Sequence, residues 1–293
     1  MLNRRTLLSA SIGAGMLGGC TLSPDEDHAG PDAPRATPLA RPVRTAWVFS
    51  SGGPRGFVHV GVIKALSEMG LAPDLLVGAS VGAVVAVMYG CGKSAHDIER
   101  MALELKPLSL GRLAIGGNMR LSGSAISDMV RGEVNGLLLE RMHRPVVCVV
   151  ARLSDGRLEG FNAGDAGVAV QASCAIEGQF SPVRIRGEQY VDADLHQPLP
   201  VRLARQLGAT RILAVDASAH EERAPSGTDR YRAGDLRKRA LTEPDARAAD
   251  LTLHPEFGYY VNLSREYREL AIAAGYRTTM AAAKQLTALH AAA

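Results

Sequence analysis

Short apolar runs alternate with stretches of helical periodicity along most of the chain. The apolar runs predict buried strands over 45–50, 74–78, 145–152, 189–192 and 211–216, with 157–162 pairing to 145–152 as a hairpin. The stretches between and after them predict helices over 56–69, 81–89, 94–105, 124–139, 166–175 and 201–207, and one or two more over 262–290. This alternation indicates an α/β fold with a mostly parallel central sheet, covered by helices on both faces.

The N-terminus does not follow this pattern. Twin arginines, Arg4 and Arg5, precede residues 6–19, an uncharged stretch that is too short to span a bilayer comfortably but suits a signal peptide. It ends in Leu17-Gly18-Gly19-Cys20, which resembles a bacterial lipobox. We therefore expect residues 1–19 to be a signal peptide, exported by the Tat or the Sec route, and Cys20 to be the site of lipid attachment.

Two further segments interrupt the alternation. Residues 20–43 hold five prolines, which disfavour helix and sheet, and are interpreted as a tether between the lipid anchor and a domain at 44–293. Residues 220–250 carry balanced charges with Pro and Gly, and are interpreted as a mobile surface excursion whose Arg230–Arg239 cluster is a candidate membrane contact. Because Thr21 rather than Asp follows Cys20, we expect a cell-envelope lipoprotein in the outer membrane, facing the periplasm.

Composition narrows the class of protein. The 293 residues are 46% hydrophobic and 22% charged, which excludes wholesale disorder, and the scarcity of aromatics beside 31 glycines favours α/β packing. A net charge of +3 is too small to indicate nucleic-acid binding. The four cysteines form no CxxC pair and have no His at metal-ligand spacing, so no metal site is expected. Nothing in the sequence indicates an oligomeric state.

The first candidate for chemistry is a G-x-S-x-G motif at Gly78-Ala79-Ser80-Val81-Gly82. It lies between a predicted strand and a predicted helix, the context in which such a motif forms a nucleophile elbow. Ser80 would then project above the sheet at a helix N-terminus, where negative charge is stabilised. The same placement explains why the uncharged run 75–92 is interpreted as strand, turn and helix rather than as a membrane span.

The second candidate is a glycine-rich loop, Ser51-Gly52-Gly53-Pro54-Arg55-Gly56, between the first strand and the first helix. It matches neither the dinucleotide fingerprint nor the P-loop pattern. We interpret it as an oxyanion hole formed by the amide groups of Gly52 and Gly53, because Pro54 has no N–H. Two interpretations of Arg55 stay open: contact with a substrate phosphate, or structural pairing.

These motifs in order resemble the bacterial patatin-like phospholipase family. The glycine-rich and nucleophile blocks are followed by Ala169–Ile176, similar to the family's third block, and by Tyr190–Asp194, which resembles its D-G-[GA] block. The resemblance covers about 45–285. It implies a patatin-like three-layer α/β/α fold and a Ser–Asp dyad in which Ser80 is the nucleophile and Asp192 the base. It also implies a phospholipid or other lipid ester as substrate, and no cofactor.

The chain departs from the family pattern at three places. Asp192-Ala193-Asp194 replaces D-G-[GA], Ser51 replaces the first glycine of the loop, and Glu177 stands where proline is usual. The first departure places a second carboxylate two residues after Asp192, so Asp194 is an alternative base.

Three alternative functions stay open. One is a catalytically weak or inactive lipoprotein that binds lipid or a protein partner, and another is a soluble thioesterase or general esterase. The third is a Ser-His-Asp hydrolase that uses His59, His196, His220, His254 or His290. The function we expect is that of a membrane-anchored serine lipid acyl hydrolase, of phospholipase, lysophospholipase or esterase type.

Overall fold

The central sheet of this computed structural model has eight strands, and the structure describes residues 26–106, 113–114, 120–219 and 224–291. The strand order is β10-β9-β1-β2-β5-β8-β7, with β6 also paired to β5. The strands are β1 (Thr45–Phe49), β2 (Leu75–Ala79), β3 (Leu113–Ala114), β4 (Arg120–Leu121), β5 (Val146–Arg152), β6 (Leu158–Phe161), β7 (Val183–Ile185), β8 (Glu188–Asp192), β9 (Arg211–Val215) and β10 (Leu251–Leu253). Strands β10 to β5 run parallel, whereas β6, β7 and β8 pair antiparallel, and β3 and β4 form a separate ribbon. The sheet is mostly parallel, as predicted.

Helices cover both faces of this sheet. They are α1 (Val58–Glu68), α2 (Val81–Gly90), α3 (Ala95–Glu104), α4 (Ser124–Glu133), α5 (Ala166–Ser173), α6 (Val201–Gln206), α7 (Asp229–Ala248), α8 (Arg265–Ala281) and α9 (Ala283–Ala291). The helix predicted over 124–139 ends early because Asn135 and Gly136 adopt left-handed backbone angles, with φ of 51° and 70°.

Alternate residues of the strands face two different apolar layers. Trp47 and Phe49 of β1 pack with α1, α2 and α5, whereas Ala46 and Val48 pack with α6 and the end of α7. Side chains of a strand point alternately to the two faces of a sheet, so this separation requires a layer of helices on each side. The predicted three-layer α/β/α arrangement is confirmed.

The register on β5 determines where the functional side chains meet. Ala79 of β2 lies opposite Val149, and on the other edge of β5 Glu159 of β6 lies opposite Val150. Asp192 of β8 also lies opposite Val150, so β8 continues along the edge that β2 occupies. The carboxyl ends of β2 and β8 therefore meet head to head beside β5.

Part of the segment interpreted as a tether lies against the domain. Arg35 forms an isolated bridge with Ala163, its amide donating at 3.0 Å, and Asn162 Oδ1 accepts from the Thr37 amide at 2.7 Å. Ala33 is buried. Cys20 and the signal-peptide prediction lie outside the described residues.

The segment interpreted as an excursion, 220–250, contains the 20-residue helix α7. Asp245 near its end is fully buried, accepting hydrogen bonds from Gln197 Nε2 at 2.6 Å and from the Arg202 amide at 2.8 Å. Arg202 adds an ion pair at 2.9 Å. These contacts attach the C-terminal half of α7 to the domain, although the helix is polar and contains Pro244.

The uncharged run 75–92 forms β2, a turn and α2, as predicted. Among the described residues, no helix combines the length and apolar character that crossing a bilayer requires. Cys148 and Cys174 are buried, and burial raises the pKa of both thiols, that of Cys148 to about 12. Both are inert core residues under ordinary conditions.

Candidate active site

Ser80 occupies a sharp turn between β2 and α2. Its backbone angles are φ 55° and ψ −127°, a conformation that non-glycine residues rarely adopt. A Cβ at Gly78 would lie 2.3 Å from the Gly82 carbonyl oxygen, and one at Gly82 would lie 2.4 Å from that of Phe49. The motif thus needs glycine at both positions because backbone approaches backbone there, which is the geometry of a nucleophile elbow.

A buried serine supports this turn from α5. The Ser173 hydroxyl accepts a hydrogen bond from the Ser80 amide at 2.9 Å and donates one to the Val149 carbonyl at 2.7 Å. Sequence reasoning assigned Ser173 no role, although it lies within the third block of the family resemblance.

The glycine-rich loop leads from β1 into a short 3₁₀ helix, Gly53–Phe57, with Pro54 in its first turn. The Gly52 carbonyl accepts from the Arg55 amide at 3.1 Å. Within the described part of the chain, no hydrogen bond engages the amide N–H groups of Gly52 and Gly53. Two adjacent donors are therefore available to an anion.

Asp192 ends β8 and is buried. Its Oδ1 accepts from the Asp194 amide at 2.9 Å, and Oδ2 has no partner of standard hydrogen-bond geometry among the described residues. Burial, and then the charge of Asp194, raise the pKa of Asp192 to about 7. The nearby Ser80 hydroxyl, the charge of Lys238 and the Asp194 amide oppose that rise in pKa. Such a carboxyl is a better base at neutral pH than an ordinary aspartate.

One cavity of about 440 Å³ brings these groups together. Its walls include all five of the predicted site residues of the domain, namely Gly52, Gly53, Arg55, Ser80 and Asp192. Polar and aromatic side chains from α7 and the loop before α8 complete the wall, among them Tyr231, Asp235, Lys238, Tyr259 and Tyr260. A second cavity of about 410 Å³ lies between α1, α3 and α8 and contains none of the predicted site residues.

The contacts of Arg55 support structural pairing, one of the two interpretations left open for it. Its Nε donates to the Ala217 carbonyl at 2.9 Å, its Nη1 donates to that of Gly258 at 3.0 Å, and its guanidinium lies over the Phe257 ring at 4.6 Å. Burial lowers the pKa of Arg55. The side chain also forms part of the cavity wall, so it joins the glycine-rich loop to the segment before α8.

Ser51 and Asp194, two of the departures from the family pattern, contact each other. The Ser51 hydroxyl donates to Asp194 Oδ1 at 2.5 Å, and Lys238 Nζ donates to the Ser51 hydroxyl at 2.6 Å. Lys238 and Asp194 also form an ion pair. This pairing disfavours Asp194 as the alternative base, because the Lys238 ammonium and the Ser51 hydroxyl occupy its Oδ1. The sequence offered no signal for Lys238 beyond its membership of a basic cluster.

The described histidines lie away from the cavity wall. His59 is buried with Nε2 2.9 Å from the Ser50 carbonyl oxygen, and burial lowers the pKa of its ring to about 4. His196 faces Glu177 at 3.6 Å, His254 faces Asp216 at 3.7 Å, and His290 accepts from Trp47 Nε1. A Ser-His-Asp triad therefore finds no support among these residues, while His220 lies outside the described ranges.

The domain is similar to known proteins over most of its length. A family model described as patatin-like phospholipase matches residues 47–205, more than half of the chain. An uncharacterised NTE family protein of Mycobacterium bovis is 31% identical over 181 residues, which are 61% of this chain and 50% of that protein. A lysophospholipase of Coccidioides immitis is 28% identical over 192 residues, 61% of this chain and 12% of that protein.

This chain therefore spans half, or much less than half, of the length of those relatives. The crystal structure of VipD from Legionella pneumophila superposes with a TM-score of 0.57, covering 92% of this chain and 72% of VipD at 14% identity, and so shares the fold. Together with the elbow and the glycine-rich loop, the family match identifies the chain as a member of the patatin-like phospholipase family.

Proposed function

We propose that the protein is a serine acyl hydrolase that cleaves an ester bond of a lipid. The observation that carries this proposal is the meeting of Ser80, Asp192 and the free amides of Gly52 and Gly53 around one cavity. The name of the matched family model and the lysophospholipase name of one relative support a lipid ester as the substrate class.

The first half-reaction forms an acyl-enzyme. Ser80 Oγ attacks the ester carbonyl carbon while its proton passes to Asp192 Oδ2, the oxygen that lacks a standard partner. The amide groups of Gly52 and Gly53 donate to the oxyanion that develops. The intermediate then collapses, the bond to the alcohol breaks, and the departing oxygen takes the proton from Asp192.

The second half-reaction releases the fatty acid. Asp192 accepts a proton from a water molecule, whose oxygen attacks the acyl carbon bound to Ser80. The ester bond to Oγ breaks and Ser80 recovers its proton from Asp192. Because Asp192 must be ionised at both steps, activity is expected to rise with pH through its pKa of about 7.

The mouth of the cavity suits a substrate presented by a lipid surface. Tyr260 and Val261, which line it, are 57% and 53% exposed. Leu263, two residues further, is also exposed. A cluster of exposed apolar side chains beside a cavity is typical of a surface that contacts lipid or a partner.

The conformation around Ala193 bears on the alternative of an inactive lipoprotein. Ala193 is fully buried in the apolar layer beneath α6, and it is not among the residues with positive φ. Its Cβ is therefore accommodated without the strain that glycine would relieve, and Asp192 keeps its place in the cavity wall. This supports a working dyad over a fold retained for binding alone.

The full chain in detergent micelles tests the proposal. Wild type, Ser80→Ala and Asp192→Asn are exposed to a fluorophosphonate probe and to a p-nitrophenyl ester, with His196→Ala as a control outside the cavity wall. We expect labelling and turnover in wild type and His196→Ala, loss of both in Ser80→Ala, and near-loss of turnover in Asp192→Asn. A folded wild type that is not labelled would contradict the proposal and favour a lipid-binding lipoprotein.

We also propose that Cys20 anchors the protein in the cell envelope, at the periplasmic face of the outer membrane. The support is the lipobox-like sequence that precedes it and the effective substrate concentration that an anchor gives a lipid hydrolase. Metabolic labelling with an alkynyl fatty acid, followed by fractionation of the membranes, tests it. Label in the wild type that is absent from Cys20→Ala is the expected result, and an unlabelled wild type would contradict it.

A further inference from the structure

Two unusual residues of this chain occupy neighbouring positions in space. Ser51 stands where the resembled family has the first glycine of the loop, and Asp194 stands where it has a small residue. They are 143 residues apart in the chain, yet the Ser51 hydroxyl donates to Asp194 Oδ1 at 2.5 Å. Two departures that contact each other are more informative than two isolated ones, since each supplies the partner of the other.

A third residue, Lys238 of α7, completes the cluster. Its side chain is 17% exposed, its ammonium donates to the Ser51 hydroxyl at 2.6 Å, and it pairs with the Asp194 carboxylate. The buried contacts of Asp245, seven residues further along α7, hold the same helix against the domain. Lys238 therefore reaches the cavity from a helix whose C-terminal half is fixed to the domain.

The cluster touches both halves of the proposed catalytic apparatus. Ser51 directly precedes Gly52, whose amide is one of the two free donors. The backbone amide of Asp194 donates a hydrogen bond to Asp192 Oδ1 at 2.9 Å. A single bridge thus joins the loop that would bind the oxyanion to the turn that presents the base.

We propose that Lys238 is a positioning residue of the active site, which through Ser51 and Asp194 fixes the glycine-rich loop against the Asp192 turn and balances the charge that Asp192 faces. This inference rests on the proposed function, because positioning has meaning only if Ser80 and Asp192 react.

The charges around Asp192 give the bridge a measurable signature. Asp194, Lys238, Asp235 of α7 and Arg55 of the 3₁₀ helix line the same cavity as Asp192, and the charge of Asp192 helps raise the pKa of the buried Cys174 thiol. The charge of Asp194 raises the pKa of Asp192, whereas that of Lys238 lowers it. Removing one partner of the bridge therefore shifts the pKa of the base in a direction that depends on which partner is removed.

The test is the pH profile of kcat/KM for Lys238→Met, Lys238→Arg and Asp194→Asn, measured on the full chain in detergent micelles. Arg237→Met is the matched control, because it removes one positive charge from an exposed position of the same helix. We expect the acid limb to move up by about 1 pH unit in Lys238→Met and down by a similar amount in Asp194→Asn. We also expect kcat to fall about 10-fold in Lys238→Met, with recovery in Lys238→Arg, because misplacing a catalytic group is costly.

The outcomes separate this inference from the proposed function. A wild type that is inactive towards ester and probe would contradict the proposed function itself. An active wild type, inactive Ser80→Ala and acid limbs in Lys238→Met and Asp194→Asn that coincide with Arg237→Met would overturn the inference alone. If Lys238→Met does not fold, as judged by thermal unfolding, the downward shift in Asp194→Asn decides the question.

Discussion

Ser173 lies directly behind Ser80, and its hydroxyl is shared between the Ser80 amide, from which it accepts at 2.9 Å, and the Val149 carbonyl, to which it donates at 2.7 Å. It is the last residue of α5 and is fully buried. One hydroxyl thus ties the turn that carries the candidate nucleophile to the strand β5, along which Asp192 is also aligned.

Ser173→Ala is expected to weaken both the fold and the reaction. The Ser80 amide and the Val149 carbonyl would lose a buried partner, which costs about 1–3 kcal/mol of unfolding free energy. The strained turn would lose a support, and we expect kcat/KM to fall about 10-fold or more. Denaturant unfolding and ester hydrolysis measure the two effects.

Ser94→Ala is the control for that prediction. Ser94 caps α3, its hydroxyl accepting from the Asp97 amide at 3.1 Å, away from the cavity. Loss of such a cap costs about 1 kcal/mol and should leave kcat/KM unchanged. If Ser173→Ala behaved like Ser94→Ala, losing stability without losing rate, Ser173 would be an ordinary core hydroxyl.

Gly82→Ala is expected to disrupt the domain, because the added Cβ would lie 2.4 Å from the Phe49 carbonyl oxygen and 2.8 Å from that of Ser50. Backbone atoms at both contacts leave no flexible side chain to move aside, and we expect a loss of about 3 kcal/mol. Gly234→Ala is the matched control in α7, where the added Cβ meets nothing within 4 Å beyond its chain neighbours and the backbone of its own helix. There the substitution should stabilise by about 0.5–1 kcal/mol, since alanine is the better helix former. Equal melting temperatures for the two variants would contradict the close approach at the elbow.

The elements that could be predicted from the sequence are those determined by residues close together in the chain. Buried strands read as apolar runs, and the elbow at Gly78–Gly82 needs glycine at fixed spacing, so β2, α2 and the position of Ser80 could be predicted. Helix α7 could not, because it lacks an apolar face and contains Gly234 and Pro244. Its attachment depends on the burial of Asp245, a contact with residues more than 40 positions away.

The contacts of Lys238, and those of Arg35 and Thr37 within the segment interpreted as a tether, could not be predicted for the same reason. From sequence alone, a lysine among arginines predicts a solvent-exposed surface and a proline-rich segment predicts a tether. Their partners are distant in the chain and become neighbours only in the folded domain. The meeting of Ser51 with Asp194 has no local signature either, although both positions stood out as departures from the family pattern. Departures of this kind are where long-range contacts are best sought.

Asp192→Asn is expected to stabilise the protein while removing its activity. Burial raises the pKa of Asp192 to about 7, above the value near 3.9 of an unfolded chain. The folded state therefore holds a proton that the unfolded state releases, and wild-type stability falls as pH rises from about 4 to about 7. The variant avoids this loss, so its advantage should grow over that window to on the order of 2–4 kcal/mol at pH 8.

Asp97→Asn is expected to change stability in the opposite direction, because the pKa of Asp97 is lowered rather than raised. The Ser94 hydroxyl, and then Arg100, lower the pKa of the exposed Asp97 to about 2, so its stabilising effect is present above pH 4 and is lost as pH falls through 2. Thermal unfolding at pH 5 and pH 8 compares the two variants, and Asp97→Asn should melt slightly below wild type at both. An advantage of Asp192→Asn that does not change between these pH values would show that its carboxyl is not titrating within the fold.

The exposed residues at the cavity mouth lead to a prediction about how substrate is presented. Val261 is 53% exposed beside the cavity, whereas Leu270, 60% exposed on α8, does not line it. If the mouth contacts a lipid surface, Val261→Asp should lower the rate on phospholipid vesicles about 10-fold, because an apolar contact is replaced by a charge that resists dehydration. Its rate on a soluble p-nitrophenyl ester should stay near that of wild type, since the dyad is untouched. Leu270→Asp introduces the same charge elsewhere and should leave both rates unchanged. Equal losses on vesicles and on the soluble ester in Val261→Asp would place Val261 in the cavity wall alone, and equal losses on vesicles in the two variants would reduce the effect to net charge.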